Sequence, residues 1–221
     1  MADPVFRPIA SRTLKEDIAQ LLADSIFANK FRPGQRLNES ELARQLHVSR
    51  APIREALQQL QEQGLIVNTP RRGMFIVSLS DADMLEINRL RLLLEAEALR
   101  LAQANLNRER ERRLGRVLAE MEALNGSALD ATRLDLEFHR TIWSFTGNKL
   151  MEKVLNSITA PLFACATLRK SAEQKQRAIL DSHRPLFDYV RGKNKKTAEQ
   201  VMASHLEIGW GDQGRVNPAP D

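Results

Sequence analysis

The chain contains 221 residues, of which 43% are hydrophobic and 28% charged, and its formal net charge is +5. This length permits one large domain or two small ones, and the composition predicts a packed core beneath an ordinary charged surface. A single cysteine, Cys165, excludes a disulfide framework, and no apolar run is long enough for a membrane span, so we expect a cytoplasmic protein.

The first third of the chain predicts three helices and a hairpin. Apolar residues recur at helical spacing from Thr13 to about Asn29, and a second, short helix is predicted in ESELARQLH. A third helix follows Ser49, a residue type that caps helix starts, and ends at Gly64. Two short β-type runs, LIVN and MFIV, then flank the turn TPRRG. This order is typical of a winged helix-turn-helix domain, which we place at residues 1–79.

The remainder, residues 80–221, predicts an all-α bundle, so the fold class is mainly α. A long helix follows Ser80, and no strand pattern appears after it. Pro185 indicates that the helix around it starts late or kinks. Further helices are predicted near 107–124, 129–145, 149–169, 172–191 and 195–208.

The positive charge is concentrated in the first domain. Arg50 and Arg54 lie four residues apart at the start of the third helix, where cations oppose the helix dipole. In a helix-turn-helix this end enters the major groove, where an arginine can bind guanine O6 and N7. Arg71 and Arg72, at the hairpin tip, would reach the minor groove or a phosphate. The alternative is a solvated basic face, but two separate basic positions favour double-stranded DNA as a partner.

These residues carry a family resemblance. LNESELARQLHVSRAPIREALQQLQEQGLI, followed by RRGMFIV, resembles the DNA-binding domain of GntR-family transcriptional regulators. The resemblance implies DNA contacts at Ser49, Arg50 and Arg54, with Gly73 in the wing turn. We therefore expect a homodimeric transcription factor, a repressor, in which each winged helix binds half of a near-palindromic operator.

Three histidines lie in the predicted bundle. LDLEFHRTIW places Asp135 and His139 on one face of one helix, and His183 and His205 lie in the last two helices. From spacing alone, capped or core histidines are favoured over a metal site. However, DLEFHRTIWSFTGN, DSHRPLFDYVRGK and EQVMASHLE resemble the FCD ligand-binding domain. That resemblance implies that all four residues ligate a divalent metal, with Zn²⁺ the leading candidate and Ni²⁺ or Mn²⁺ as alternatives.

The same resemblance implies a small carboxylate effector. Arg91 matches the arginine that pairs with the far carboxylate of such effectors, and Arg89 is the neighbouring alternative. A competing interpretation of Arg91 is an intrahelical ion pair with Glu95.

Two other functions remain open at this point: a metal-dependent enzyme acting on a small organic acid, and a regulator with a purely structural metal. Glycines soon after His205 indicate an early end to the last helix, which would loosen that histidine or open the pocket.

Overall fold

A computed structural model describes residues 13–166 and 173–211. The fold is mainly α, as predicted, with a small antiparallel sheet near the N-terminus. Among the described helices, none is long and apolar enough to cross a bilayer. The first elements, in chain order, are α1 (Leu14–Phe27), β1 (Arg36–Leu37), α2 (Glu39–Gln45), α3 (Arg50–Glu62), β2 (Ile66–Thr69) and β3 (Gly73–Ile76).

These elements form a winged helix-turn-helix. The predicted hairpin is confirmed, with Val67 of β2 opposite Phe75 of β3. The sheet also contains a third strand that the sequence analysis missed. This strand, β1, pairs with the edge of β3 opposite β2 and gives the order β1-β3-β2. Two residues are too few to show the alternation by which strands are recognised in a sequence.

The rest of the described chain is helical. One sequence prediction here was wrong, since the single helix expected over 172–191 is two helices that break at Ser182. Pro185 is the third residue of the second of them, a position where its missing N–H has no intrahelical partner to lose. Residues 167–169, the end of another predicted helix, lie outside the described residues. The helices are α4 (Asp81–Ala104), α5 (Arg108–Ala123), α6 (Ala128–Phe145), α7 (Lys149–Ala166), α8 (Glu173–Asp181), α9 (His183–Val190) and α10 (Ala198–Trp210).

Two hydrophobic clusters stabilise the molecule, and α7 contributes to both. The larger cluster lies within the helices that follow β3 and includes Trp143 and Phe163. The smaller cluster lies beneath α3 and includes Leu57 together with Ala160 and Ala164 from α7. The helix α7 therefore connects the winged helix to the helical bundle.

Gly64 marks a close approach between the winged helix and α7. Its φ is +75°, and a Cβ there would overlap the carbonyl oxygen of Ser157 and lie 3.0 Å from Cγ of Pro161. We expect Gly64→Ala to lower the free energy of unfolding by about 2–4 kcal/mol, because the left-handed backbone and the overlap both disfavour a side chain. Gly34→Ala is the matched control, since Gly34 has a φ of +73° and nothing within 4 Å. Urea unfolding of both variants should show the larger loss for Gly64; equal losses would contradict the close contact.

Candidate functional sites

The start of α3 presents its two arginines to solvent. Ser49 is the N-cap, with φ −71° and ψ 165°, and its side chain makes no capping hydrogen bond. Arg50 is the first residue of the helix, and Arg54 lies one turn later. Their side chains are 60% and 56% exposed, so neither is turned into the core.

A carboxylate that the sequence analysis missed lies between these arginines. Glu39, the first residue of α2, accepts from Arg54 Nη2 at 3.1 Å and lies 3.5 Å from Arg50 Nη2. The hydrogen bond from Arg54 lowers the pKa of Glu39, and the same bond raises the pKa of Arg54. The two arginines are thus paired with an acid of their own chain while they remain exposed.

The wing is the hairpin of β2 and β3, with its turn at residues 70–72. Arg71 and Arg72 are both exposed there, and Arg71 has a φ of 64°, which is unusual for a residue with a side chain. The guanidinium of Arg72 lies 5.8 Å from the ring centroid of Phe75. Gly73 has a φ of +100°, a conformation that favours glycine. The wing therefore presents two cations on a tight turn.

The four predicted metal ligands converge inside the bundle. Asp135 and His139 come from α6, His183 from the start of α9 and His205 from α10, and their ligand atoms all lie within 4.8 Å of one another. His139 Nε2 is 3.1 Å from His205 Nε2. His183 Nε2 is 2.9 Å from Asp135 Oδ1, and His139 Nε2 is 3.4 Å from the same oxygen. Because α10 continues to Trp210, His205 remains buried, contrary to the expectation of a loosened end; the sequence beyond 211 lies outside the described residues.

Hydrogen bonds orient two of these imidazoles through their outer nitrogens. His139 donates from Nδ1 to Oε2 of Glu95 at 2.6 Å. His183 donates from Nδ1 to the backbone carbonyl of Ile179 at 3.0 Å. In a neutral imidazole with a protonated Nδ1, Nε2 carries the lone pair that binds a metal.

The third imidazole is held in the same way. The hydroxyl of Ser182 donates to the carbonyl of Ile179 at 2.6 Å, so its oxygen accepts from Nδ1 of His205 at 2.8 Å. All three histidines therefore direct Nε2 toward one point beside Asp135. Two Nε2 lone pairs 3.1 Å apart repel each other unless a proton or a cation lies between them, so the residues fit a metal ion.

Burial and the neighbouring charges shift the pKa values of three residues in the cluster. Burial opposes ionisation of Asp135, but His183 and His139 outweigh it and lower the pKa of this carboxyl far below its usual range. Burial also opposes charge on His139, yet Glu95 and Asp135 raise its pKa to about 9. Burial, together with the charges of His183 and His139, lowers the pKa of His205 well below its usual value. Without metal, these interactions favour the protonated form of His139 at neutral pH.

Beside the cluster, Arg91 is buried and forms the intrahelical pair that the sequence analysis considered. Its Nε donates to Oε1 of Glu95 at 2.6 Å, while Trp143 Nε1 donates to Oε2 of the same carboxylate at 3.2 Å. Arg91 Nη2 is buried without a hydrogen-bond partner among the described residues. Arg89 is exposed on α4. The glutamate was considered only as an ion-pair partner, but it contacts both Arg91 and His139.

Family models match both parts of the chain. A model described as bacterial regulatory proteins, gntR family, matches residues 14–76, and the FCD domain model matches residues 86–208, which is more than half of the chain. The chain belongs to the GntR family. The predicted resemblance is thereby confirmed for both parts.

Relatives of this GntR-family chain are transcriptional regulators. The Nta operon transcriptional regulator of Aminobacter aminovorans is 38% identical over 80% of this chain and 83% of its own. An uncharacterized HTH-type transcriptional regulator of Bacillus subtilis, YdhC, is 34% identical over 84% of each chain. Among solved structures, E. coli McbR/YncC has a similar fold, with a TM-score of 0.74 at 20% identity over 90% of this chain and 98% of its own. The chain is a DNA-binding regulator and not an enzyme.

Proposed function

We propose that this chain is a homodimeric repressor whose binding to an operator is controlled by a small carboxylate effector at a metal site in its FCD domain. The observation that carries the proposal is the convergence of three Nε2 atoms and an Asp135 oxygen near the buried Arg91. Repression is the simpler form of regulation, because it requires only that the bound protein occupies a promoter. The protein would act on operator DNA in the cytoplasm.

The proposed DNA contacts lie at the start of α3 and in the wing. The N-terminal end of α3 would enter the major groove, where Arg50 and Arg54 can reach base edges and Ser49 can reach a phosphate. Arg71 and Arg72 would contact the minor groove or the backbone, and Gly73 permits the turn that presents them. Their exposure supports this assignment.

The proposed metal ligands are Asp135, His139, His183 and His205. Three neutral imidazoles and a carboxylate suit Zn²⁺ best, with Ni²⁺ and Mn²⁺ as alternatives. A bound divalent cation would offer coordination positions for two further oxygen donors, such as those of a carboxylate. The hydrogen bonds at each Nδ1 hold the imidazoles in the orientation that binding requires.

Arg91 is the proposed partner of the effector's second carboxylate. A buried N–H without an acceptor costs about 1–3 kcal/mol, and an anion that accepts from Nη2 would recover that energy. The planar guanidinium also matches the two oxygens of a carboxylate. We propose Arg91 rather than the exposed Arg89 for this role.

The helix α7 is the proposed route from the effector to the DNA. Its Phe163 ring lies 5.6 Å from the guanidinium carbon of Arg91 and 6.2 Å from the ring of His139. Ala160, three residues before Phe163, and Ala164, the residue after it, belong to the cluster beneath α3. A shift of Phe163 on effector binding would therefore move the surface on which the winged helix rests.

The proposed homodimer would place two winged helices on two half-sites. Leu90 and Leu93 are 48% and 65% exposed on the outer face of α4, away from the metal cluster. Exposed apolar residues on adjacent turns are favourable at a subunit interface. Leu93→Glu should therefore shift the protein toward monomer in sedimentation.

The proposal is tested by metal analysis followed by a thermal-shift screen of small organic acids. We expect about one divalent metal per chain, and acids should raise the melting temperature only when metal is present. His139→Ala should lose both properties, whereas His47→Ala, at an exposed position outside the cluster, should keep both. If metal stabilises the protein but no acid does, the metal is structural, and the proposed regulation by a carboxylate effector is wrong.

Metal binding should release a proton. The pKa of His139 is about 9 in the cluster, so at pH 7 this imidazole is protonated, and a metal must displace that proton from Nε2. We expect release of about one proton from His139 and an apparent Zn²⁺ affinity that rises roughly tenfold per pH unit up to pH 9. Calorimetry in two buffers of different ionisation enthalpy measures the release. A binding heat that does not depend on the buffer would contradict it.

A further inference from the structure

Glu39 places a single carboxylate between the two arginines of α3. Its side chain is 25% exposed, less than half the exposure of either Arg50 or Arg54. No acidic residue lies in the first turn of α3, so this carboxylate from α2 is the counter-charge to both cations. The pairing bridges the two helices of the helix-turn-helix.

The contact leaves part of the Arg54 guanidinium available. Glu39 Oε2 accepts from Nε at 3.3 Å and from Nη2 at 3.1 Å, which together form one edge of the guanidinium. The end of the group, with Nη1 and the second proton of Nη2, is directed away from that carboxylate. Guanine recognition requires two adjacent donors, and this end provides them. The carboxylate therefore restricts the side chain while leaving a bidentate donor pair.

Glu39 also repels the phosphate backbone of DNA. Binding to DNA of unrelated sequence comes almost entirely from cations that neutralise phosphates. A carboxylate within 3.5 Å of both arginines weakens that attraction for every sequence. A base-edge contact depends more on donor direction than on net charge, so it is weakened less.

We propose that Glu39 is a specificity-determining positioning residue, which directs Arg50 and Arg54 toward base edges and lowers the affinity for DNA of unrelated sequence. The inference rests on the proposed DNA contacts of these two arginines. A surface that binds phosphate would otherwise be expected to lack a carboxylate, and this role explains the presence of Glu39 there.

The experiment compares Glu39→Gln with Glu41→Gln. Glu41 lies on the same helix and also pairs with an arginine, Arg44, at 2.6 Å. Both substitutions remove one negative charge and keep the side-chain shape. The probes are a mixed-sequence duplex and the sequences that the wild-type full-length protein selects from a random pool. Fluorescence anisotropy against salt concentration gives the affinity, the salt slope and the ratio of affinities for the two probes.

We expect Glu39→Gln to bind the mixed-sequence duplex about 3- to 10-fold more tightly, with a salt slope steeper by about 1. The selected sequences should gain less, so the affinity ratio should fall. Glu41→Gln should change the affinities for both probes by the same factor and leave their ratio unchanged.

Two results would overturn the inference. One is an affinity ratio for Glu39→Gln equal to that for Glu41→Gln. The other is weaker binding of both probes together with a lower melting temperature, which would assign Glu39 a structural role. A double alanine variant at Arg50 and Arg54 distinguishes failure of this inference from failure of the proposed DNA contacts. If that variant binds DNA as tightly as wild type, the proposed contacts are wrong and this inference is wrong with them.

Discussion

Replacing Arg50 and Arg54 together by alanine is expected to abolish sequence-specific DNA binding. Each guanidinium is exposed at the leading end of α3, where it can donate two hydrogen bonds to one guanine. Loss of both contacts should lower the affinity for a selected operator by at least about 100-fold, and the affinity for mixed-sequence DNA by much less. Anisotropy titrations with both duplexes measure the two effects.

The matched control is a double alanine variant at Arg112 and Arg116. These arginines are exposed on α5, four residues apart, so the variant changes the net charge by the same amount. It should keep its affinity for the operator within about 2-fold, because only distant charge has changed. Wild-type operator binding by the Arg50 and Arg54 variant would show that α3 is not the recognition helix.

The winged helix was predictable because its signals are local. The apolar spacing of α1, the capping residue type at Ser49 and the turn before Gly73 each depend on neighbours in the sequence. Glu39 was missed because its importance depends on a contact between two helices, 11 and 15 residues from its partners. Spacing along one helix does not reveal such a contact.

The metal cluster shows a second limit of prediction from sequence. Spacing placed Asp135 and His139 on one helical face but could not bring His183 and His205 to them, and only the family resemblance selected all four. The structure brings their ligand atoms together although Asp135 and His205 lie 70 residues apart in the sequence. The partner of each Nδ1 was not predictable at all, since one is a backbone carbonyl and another is the Ser182 hydroxyl.

Glu95→Ala is expected to have the largest effect on stability. Burial opposes ionisation of Glu95, but Arg91 and His139 outweigh it and hold the pKa of this carboxyl far below its usual range, so it is ionised at neutral pH. Its removal leaves the buried Arg91 without its counter-charge, which should lower the free energy of unfolding of the metal-free protein by about 3–5 kcal/mol. Urea unfolding measures the loss. Glu97→Ala, which removes a surface pair with Arg100, should cost no more than about 0.5 kcal/mol.

A second measurement separates stability from metal binding. Arg91→Met combined with Glu95→Leu replaces the buried ion pair by apolar side chains and should recover part of the lost stability, since Trp143 Nε1 and His139 Nδ1 still lack an acceptor. The affinity for Zn²⁺ should nevertheless remain about 10- to 100-fold below wild type, because His139 Nδ1 still lacks the acceptor that orients its ring. Recovery of stability and metal affinity together would show that Glu95 acts only through Arg91. Recovery of stability alone would show that one carboxylate both balances the buried arginine and positions a metal ligand.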